Sequence, residues 1–304
     1  MGKRSRSDAV AYVSMVGPAL LVYLLIVAYP VLNSVVISFT NFNPIAGTAP
    51  EFTGLANYRR MLQDPDFWHA FRNNMVVVGI SVFGQIPIGF VLAYILFRKL
   101  VRGQAFFQAM VFLPNFLSTI VIGILWRRIF LANGPVSRVL QAVSGDPSAQ
   151  FTMMLYPETV MIPIGFALIW IYTGFFMIIF LANLQKIDLG LLEAAQIDGA
   201  TEFQVFFKII VPMLASVLLI NAILAIAGSL KGFDLIFSMT TQGIQRDNAM
   251  VLPIFMYQKA FLDRSNSVRF AYGAAISNAI VLISIAIILF ANFVGKKLGA
   301  QEDM

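Results

Sequence analysis

Long apolar runs separated by short polar segments form the dominant pattern of this sequence. Six runs reach the roughly 20 apolar residues that a helix needs to cross a lipid bilayer. They are too long for strands, and they show no alternation of apolar and polar positions. The pattern predicts an all-α, polytopic membrane protein with six transmembrane helices, at about residues 12–39, 75–97, 106–131, 156–181, 211–237 and 270–294.

Composition agrees with lipid as the solvent of this chain. Hydrophobic residues make up 59% of the 304 residues and charged residues only 12%, whereas soluble domains are about 25% charged. There is no cysteine, and His69 is the only histidine. Disulfides, thiolate chemistry and histidine-rich metal sites are therefore excluded, and we expect no metal and no cofactor in this chain.

The basic residues, which give a net charge of +6, indicate how the chain is oriented. They lie mostly at the ends of apolar runs rather than on one soluble face, so nucleic acid is not an expected partner. Positive charge in short loops marks the cytoplasmic side. With six spans, three clusters share one side: Lys3, Arg4 and Arg6; Arg98, Lys99 and Arg102; Lys296 and Lys297. Both termini are therefore predicted to be cytoplasmic, in a plasma or inner membrane.

The segment at about 182–210 separates the fourth and fifth runs, on the predicted cytoplasmic side. Asp188 can cap the start of a short helix, and Gly199 suits a helix C-terminal turn. Thr201 and Gln204 have the spacing of a capping box that opens a second helix. The segment is predicted to form a helix–turn–helix knob whose small tip residues fit a groove on a partner.

Within this segment, Glu-Ala-Ala is followed after three residues by Gly, and after nine more by Ile-x-hydrophobic-Pro. This order resembles the EAA signature of the membrane subunits of binding-protein-dependent ABC importers. In that family the loop contains the coupling helix, which docks into a cleft on an ATPase subunit. The matching residues are Glu193, Ala194, Ala195, Gly199, Ile209 and Pro212, with Asp198 and Ala200 as in the carbohydrate importers.

The resemblance covers most of the chain. Residues 52–58 are similar to the family's Gly-Leu-x-Asn-Tyr segment, and residues 233–236 resemble its Phe-Asp-x-Ile stretch. These segments are typical of the maltose, lactose and glycerol-3-phosphate importers, and of the longer of their two paired membrane subunits. One departure is Gln242-Gly243-Ile244, where the family commonly has Gly-Gly-Pro.

The resemblance also implies partners and a solute. The expected partners are a second membrane permease subunit, two ATPase subunits that carry ATP and Mg, an extracytoplasmic solute-binding protein and membrane lipid. The solute would be a sugar or oligosaccharide or, alternatively, a phosphorylated polyol such as glycerol-3-phosphate. Because the sequence has no Gly-x-x-x-x-Gly-Lys-Ser/Thr loop, we expect a transport subunit without its own ATP site, not an enzyme.

Polar residues inside the spans are costly and usually face a cavity or a partner. Lys231 and Asp234 are three residues apart near the outer end of the fifth run, with Ser229 nearby, and are predicted to share a helix face. They either line the solute path, form a mutual salt bridge, or anchor the helix at the interface. Asn221 and Asn278 either line the path or form hydrogen bonds between helices.

The fourth run contains an aromatic stretch that, by analogy with the family, would contribute to a sugar site in mid-membrane. Its members are Trp170, Tyr172, Thr173 and Phe175. Aromatic rings pack against the C–H faces of sugars and hydroxyls bond their edges, although ordinary helix packing accounts for the same residues. Arg127 and Arg128 either meet an anionic solute or anchor the third run.

Two other classes of function remain open at this point. A secondary transporter driven by an ion gradient predicts inverted repeats and broken helices around ionisable residues. The halves of the sequence show no clear repeat, and few carboxylates lie within the spans. A membrane scaffold or receptor would predict no ATP-dependent uptake at all.

Overall fold

Every regular element in the described part of the chain is helical, apart from one isolated β-bridge between Thr40 and Phe52. The computed structural model describes residues 6–44, 47, 49–240, 247–263 and 269–297, with side chains from residue 12 onward. The all-α prediction is confirmed. Two features of the sequence analysed above fall outside this description: the basic cluster at Lys3, Arg4 and the Arg6 side chain, and the departure at 242–244.

The helices are numbered here in chain order. α1 begins with Arg6–Tyr23 and continues through a π-helical turn, Leu24–Ala28, into Tyr29–Ser38. The others are α2 (Ala56–Gln63), α3 (Pro65–Phe97), α4 (Gln104–Phe116), α5 (Thr119–Ile129), α6 (Pro135–Ser144), α7 (Met161–Leu184), α8 (Leu189–Ile197), α9 (Glu202–Met213), α10 (Ala215–Lys231), α11 (Asp234–Met239), α12 (Leu252–Tyr257, extended by a π-helical Gln258–Leu262) and α13 (Arg269–Lys297).

Four helices are each long and apolar enough to cross a membrane: the Tyr12–Ser38 part of α1, together with α3, α7 and α13. Two further pairs meet the same criterion only together, because α4 and α5 are bent by 98° and α9 and α10 by 71°. Counted with each bent pair as one span, the described residues contain six spans. The bundle is therefore polytopic, as the hydrophobic pattern predicts.

The sequence predicts one helix for the third run and one for the fifth, but in the structure both runs are broken. The third is interrupted because Leu117 is extended and Ser118 is also non-helical after the Pro114 turn. A proline lacks the N–H that would continue a helix. The fifth bends at Leu214, shortly after Pro212, and ends at Lys231 because Gly232 is extended.

The chain divides into two compact units. The first comprises Met1–Phe67 and Phe255–Val281. In it, the buried Asn57 amide donates to the carbonyls of Ser38 (2.9 Å) and Thr40 (2.8 Å), and the Tyr58 hydroxyl lies 2.8 Å from the Ser38 hydroxyl. The Gly-Leu-x-Asn-Tyr segment thus fastens α2 to the end of α1.

The second unit comprises Trp68–Ile254 and Leu282–Met304, and its core is the packing of α3 on α7. The helices approach closely at Gly89, where a Cβ atom would lie 3.0 Å from the Met177 nitrogen and the Thr173 carbonyl. The rings of Phe90 and Phe180 stack at 4.6 Å beside this contact. Since interiors are close-packed, α3 and α7 form one rigid wall.

The short segment at residues 248–252 is bound to α3 by two buried asparagines. Asn73 donates to the carbonyls of Asn248 and Met250, both at 2.9 Å. Asn74 donates to the Ser229 carbonyl (3.1 Å) and accepts from the Leu252 N–H (3.0 Å). Buried amides need such partners, so the two residues fix this segment beside the cavity described next.

Candidate functional site

A cavity of about 450 Å³ lies within the second unit, between α3, α5, α7, α10 and α11. Its polar lining comes from short breaks and π-helical turns as well as from regular helices. The polar lining residues are Ser81, Gln85, Asn115, Thr119, Tyr172, Ser229, Lys231 and Asp234. Its volume is within the range of small-molecule sites.

The structure brings together five of the seven residues predicted for the solute path. Those that line the cavity are Tyr172, Phe175, Ser229, Lys231 and Asp234. Trp170 instead packs edge-on against Trp126, with ring centroids 5.6 Å apart. Thr173 is buried, and its hydroxyl has no hydrogen-bond partner in the described part of the chain. The face of α7 that carries Tyr172 and Phe175 is therefore the cavity face.

The sequence predicts that Lys231 and Asp234 share a helix face, and this prediction is wrong. Lys231 is the last residue of α10 and Asp234 the first residue of α11, because the chain is extended at Gly232. Among the described residues neither side chain forms an ion pair within 4.0 Å or a side-chain hydrogen bond. The salt-bridge alternative is therefore not realised, and both charges are open to the cavity.

Ser81, Gln85 and Asn115 line the cavity and were missed from the sequence. Ser81 and Gln85 bound a π-helical turn of α3, a feature frequent at functional sites. The Gln85 amide donates to the Leu168 carbonyl (3.1 Å), and the Ser81 hydroxyl accepts from that of Ser229 (2.8 Å). The sequence did contain a sign of Ser81 and Gln85: they are polar residues four apart in an apolar run, a spacing that puts both on one helix face.

The other polar residues of the spans lie elsewhere. Asn221 donates to the Val217 carbonyl one turn back (2.9 Å), and Asn278 donates to the Ser34 carbonyl at 3.3 Å. Asn278 thus forms the interhelical hydrogen bond that was one of its two predicted roles. Neither asparagine, and neither Arg127 nor Arg128, is among the lining residues.

The segment after α7 forms the predicted helix–turn–helix knob, defined here as residues 188–212. The Asp188 carboxylate accepts from the Gly190 N–H (2.9 Å) at the start of α8. Thr201 and Gln204 form the predicted capping box at the start of α9, with distances of 2.8 and 3.3 Å. Gly199 has a φ of 84°, which a residue with a side chain rarely adopts. These local predictions are confirmed.

The eight residues with the signature pattern divide into an outward and an inward set. The exposed ones are Glu193, Ala194, Asp198, Gly199 and Pro212. Ala195, Ala200 and Ile209 are half-buried and pack against the core. Large apolar side chains are exposed beside the first set, and these were missed as candidates: Leu189, Leu191, Ile197, Phe203 and Phe207.

Residues 85–300 match the family described as the binding-protein-dependent transport system inner membrane component. The chain belongs to this family. The match includes the knob and most of the cavity lining, so both lie within the part of the chain that matches the family.

Two relatives extend the likeness to nearly the whole permease. This chain is 33% identical to a probable ABC transporter permease protein of Pyrococcus horikoshii. The alignment spans 274 residues and covers 90% of this chain and 91% of that relative. It is also 31% identical to the lactose transport system permease protein LacF of Rhizobium radiobacter. That alignment spans 301 residues and covers 96% of this chain and 98% of LacF. This protein is thus a multi-pass permease subunit of an ABC importer in the inner membrane.

The fold is similar to a chain in the crystal structure of a bacterial alginate ABC transporter in complex with alginate pentasaccharide-bound periplasmic protein. The TM-score is 0.80, with 21% identity over 96% of each chain. Membership of the permease family decides against the alternative of an ion-gradient-driven transporter. Broken helices are expected for that alternative, but they also occur here in α4/α5 and α9/α10, so they do not discriminate between the two classes.

The knob of the permease is attached to the C-terminal end of α3. Leu192 and Val205 are fully buried at its base, and the Phe206 ring contacts the rings of Phe90 and Tyr94 at 5.0 and 4.8 Å. Glu202 forms an ion pair with Arg98. The knob and the basic link after α3 therefore lie on the same side of the bundle.

Proposed function

We propose that this permease imports a sugar or oligosaccharide that an extracytoplasmic binding protein delivers. The observation that carries the proposal is the lining of the cavity, which combines aromatic rings with open hydrogen-bonding groups. Tyr172 and Phe175 offer faces for the C–H surface of a sugar ring. Sugar hydroxyls both donate and accept, so Asp234 and Lys231 can each bond to the same solute.

The charges of the cavity favour a neutral solute over a phosphorylated polyol. Among the residues that the structure describes, Lys231 is the single cation in the lining, and Asp234 lies three residues away in the sequence. A phosphate ester carries up to two negative charges and is usually bound by several cations or by bidentate arginines. The relative named as a lactose permease agrees with a neutral sugar.

Transport would be driven by two ATPase subunits that bind ATP and Mg and dock on the knob. A second permease subunit would complete the path. The exposed residues of the signature and the apolar side chains beside them form a surface suited to such docking. For ATP to drive transport, the ATPases must bind the inward-facing and outward-facing states with different affinity.

The basic residues support an orientation with both termini in the cytoplasm. Arg98 and Lys99 lie at the end of α3, and Arg98 is paired with Glu202 of the knob. Lys296 and Lys297 end α13. Positive charge in short loops marks the cytoplasmic side, so the knob would face the ATPases.

The test is uptake by the complex of this permease with its partner subunits, reconstituted in proteoliposomes with the binding protein outside and ATP inside. We expect ATP-dependent uptake of at least one neutral sugar in a panel of labelled mono- and oligosaccharides. Glycerol-3-phosphate is the matched anionic solute. Uptake of glycerol-3-phosphate without uptake of any neutral sugar would contradict the proposal.

A further inference from the structure

The Glu202 carboxylate receives three hydrogen bonds from separate parts of the chain. The Tyr94 hydroxyl donates at 2.5 Å, the Gln196 amide donates at 3.1 Å, and the Arg98 guanidinium completes the set through an ion pair. Tyr94 and Arg98 belong to the C-terminal end of α3, more than a hundred residues away in sequence. Glu202 therefore joins both helices of the knob to α3 at one point.

The position of Glu202 at the start of α9 lets its carboxylate accept three hydrogen bonds. Glu202 is the first residue of α9, directly after the Thr201 cap. A carboxylate in the first turn is favoured by the free N–H groups of the helix start. On the α3 side, Tyr94 and Arg98 are four residues apart, so they lie on one face of that helix. The clip is defined here as Glu202, Tyr94 and Arg98.

The continuous helix α3 leads from the clip to the cavity. Tyr94 is nine residues beyond Gln85, a distance of roughly 14 Å along a helix. Gln85, Ser81 and Val77 all line the cavity. A displacement of α3 at the clip would therefore move one wall of the cavity.

The clip contributes more to position than to stability. The Glu202 side chain is 55% exposed, whereas that of Arg98 is 19% exposed. Ion pairs that are open to water stabilise proteins very little. The base of the knob is already fixed by fully buried residues such as Leu192 and Val205, so the clip is not needed to hold the knob in place.

We infer that Glu202 is a positioning residue for coupling, which ties the start of α9 to α3 so that movement of the knob reaches the cavity wall. This inference rests on the proposed docking of ATPases at the knob. The Gln196 bond adds α8, which carries Glu193, Ala194 and Ala195 of the signature, to the same junction. Without the clip, the knob would move on docking while α3 follows incompletely, and ATP would be hydrolysed with less solute transported.

The experiment compares solute imported per ATP hydrolysed by the reconstituted complex. Tyr94→Phe removes one hydroxyl and keeps the ring that packs on Phe206, and Glu202→Gln removes the charge and keeps the size. Each is expected to lower the ratio by roughly three- to tenfold, the range for loss of one ordinary hydrogen bond, because Glu202 is open to water. The controls are Tyr156→Phe and Glu158→Gln, which make the same changes at exposed positions.

The double variant is expected to be little worse than the more severe single variant, because the two residues act through one bond. An unchanged ratio in both single variants would overturn the inference. So would loss of the ATPase from the purified complex in step with loss of uptake, since that result indicates a role in docking alone. Failure of the proposed function is seen separately, as absence of ATP-driven uptake with the unaltered chain.

Discussion

Asp234 lies at the start of α11 and lines the cavity without a cationic partner among the described residues. Two effects offset the cost of this charge: the N–H groups of the helix start favour a carboxylate, and the open cavity keeps it hydrated. Lys231 is held apart from it by the break at Gly232. The break therefore leaves both groups available to a solute.

Replacing Asp234 tests this arrangement. We expect Asp234→Ala to lower the apparent affinity for the solute by about tenfold or more, because a hydrogen bond to a charged group contributes about 1.5–3 kcal/mol. Uptake is measured in proteoliposomes as a function of solute concentration, with Asp146→Ala, a change at an exposed loop aspartate, as the control. Unchanged uptake would favour the role of an interface anchor. The amount of ATPase that purifies with the permease should be the same for the unaltered chain and for both variants.

At the scale of the element, the knob depends on one left-handed turn. Gly199 ends α8 with a φ of 84°, and apart from its chain neighbours no described atom lies within 4 Å of the position of a Cβ there. The limit is thus backbone conformation rather than space. The capping box of Thr201 and Gln204 then starts α9 in a new direction, so the turn sets the angle between the helix of the signature and the helix that leads into the membrane.

Gly199→Pro is expected to uncouple ATP hydrolysis from transport while the spans still insert. Proline holds φ near −65°, so the turn cannot form. Gly145→Pro is a matched control, because Gly145 ends α6 with a φ of 69° and is equally free of close neighbours. The measurement is uptake and ATPase activity of the same purified complexes. Coupled transport at the unaltered rate in Gly199→Pro would contradict this account of the knob.

At the scale of the whole molecule, two surfaces indicate that the permease works in an assembly. The Tyr12–Ser38 span of α1 is apolar, and none of its most apolar window is buried within the chain. The knob exposes Ile197 and Phe203 at 86% and 71%. The first surface suits lipid or a neighbouring membrane subunit. The second lies outside the span pattern and suits a protein partner.

The assembly is tested by purifying this chain from its native membrane and identifying the proteins that accompany it by mass spectrometry. We expect an ATPase and a second permease. Glu193→Arg should reduce recovery of the ATPase more than tenfold and leave the second permease bound, because altering a buried interfacial charge costs about 2–5 kcal/mol. Glu158→Arg, the same change at an exposed residue outside the knob, is the control.

Two other results of the purification would have different meanings. If the ATPase remained with Glu193→Arg, docking would not depend on this part of the knob. If the unaltered chain came alone, the proposed assembly with ATPases would be contradicted, although membership of the permease family would stand on its own evidence.

The sequence by itself determined the features that depend on neighbouring residues. Apolar runs predict spans because transfer into lipid is a sum over about 20 residues. The Asp188 cap and the Thr201–Gln204 capping box are interactions within three residues, so they could be predicted without a partner. The signature in the knob likewise pointed to the family because its spacing is local.

Only the tertiary structure decided what faces the cavity. Tyr172 and Thr173 are adjacent and both were predicted for the solute path, yet only Tyr172 lines it. α7 is apolar all round, so its pattern does not indicate which face meets a cavity. Asn115 is brought there by the bend between α4 and α5, which depends on packing. The bond from Tyr94 to Glu202 joins residues 108 positions apart, and no local pattern predicts such a contact.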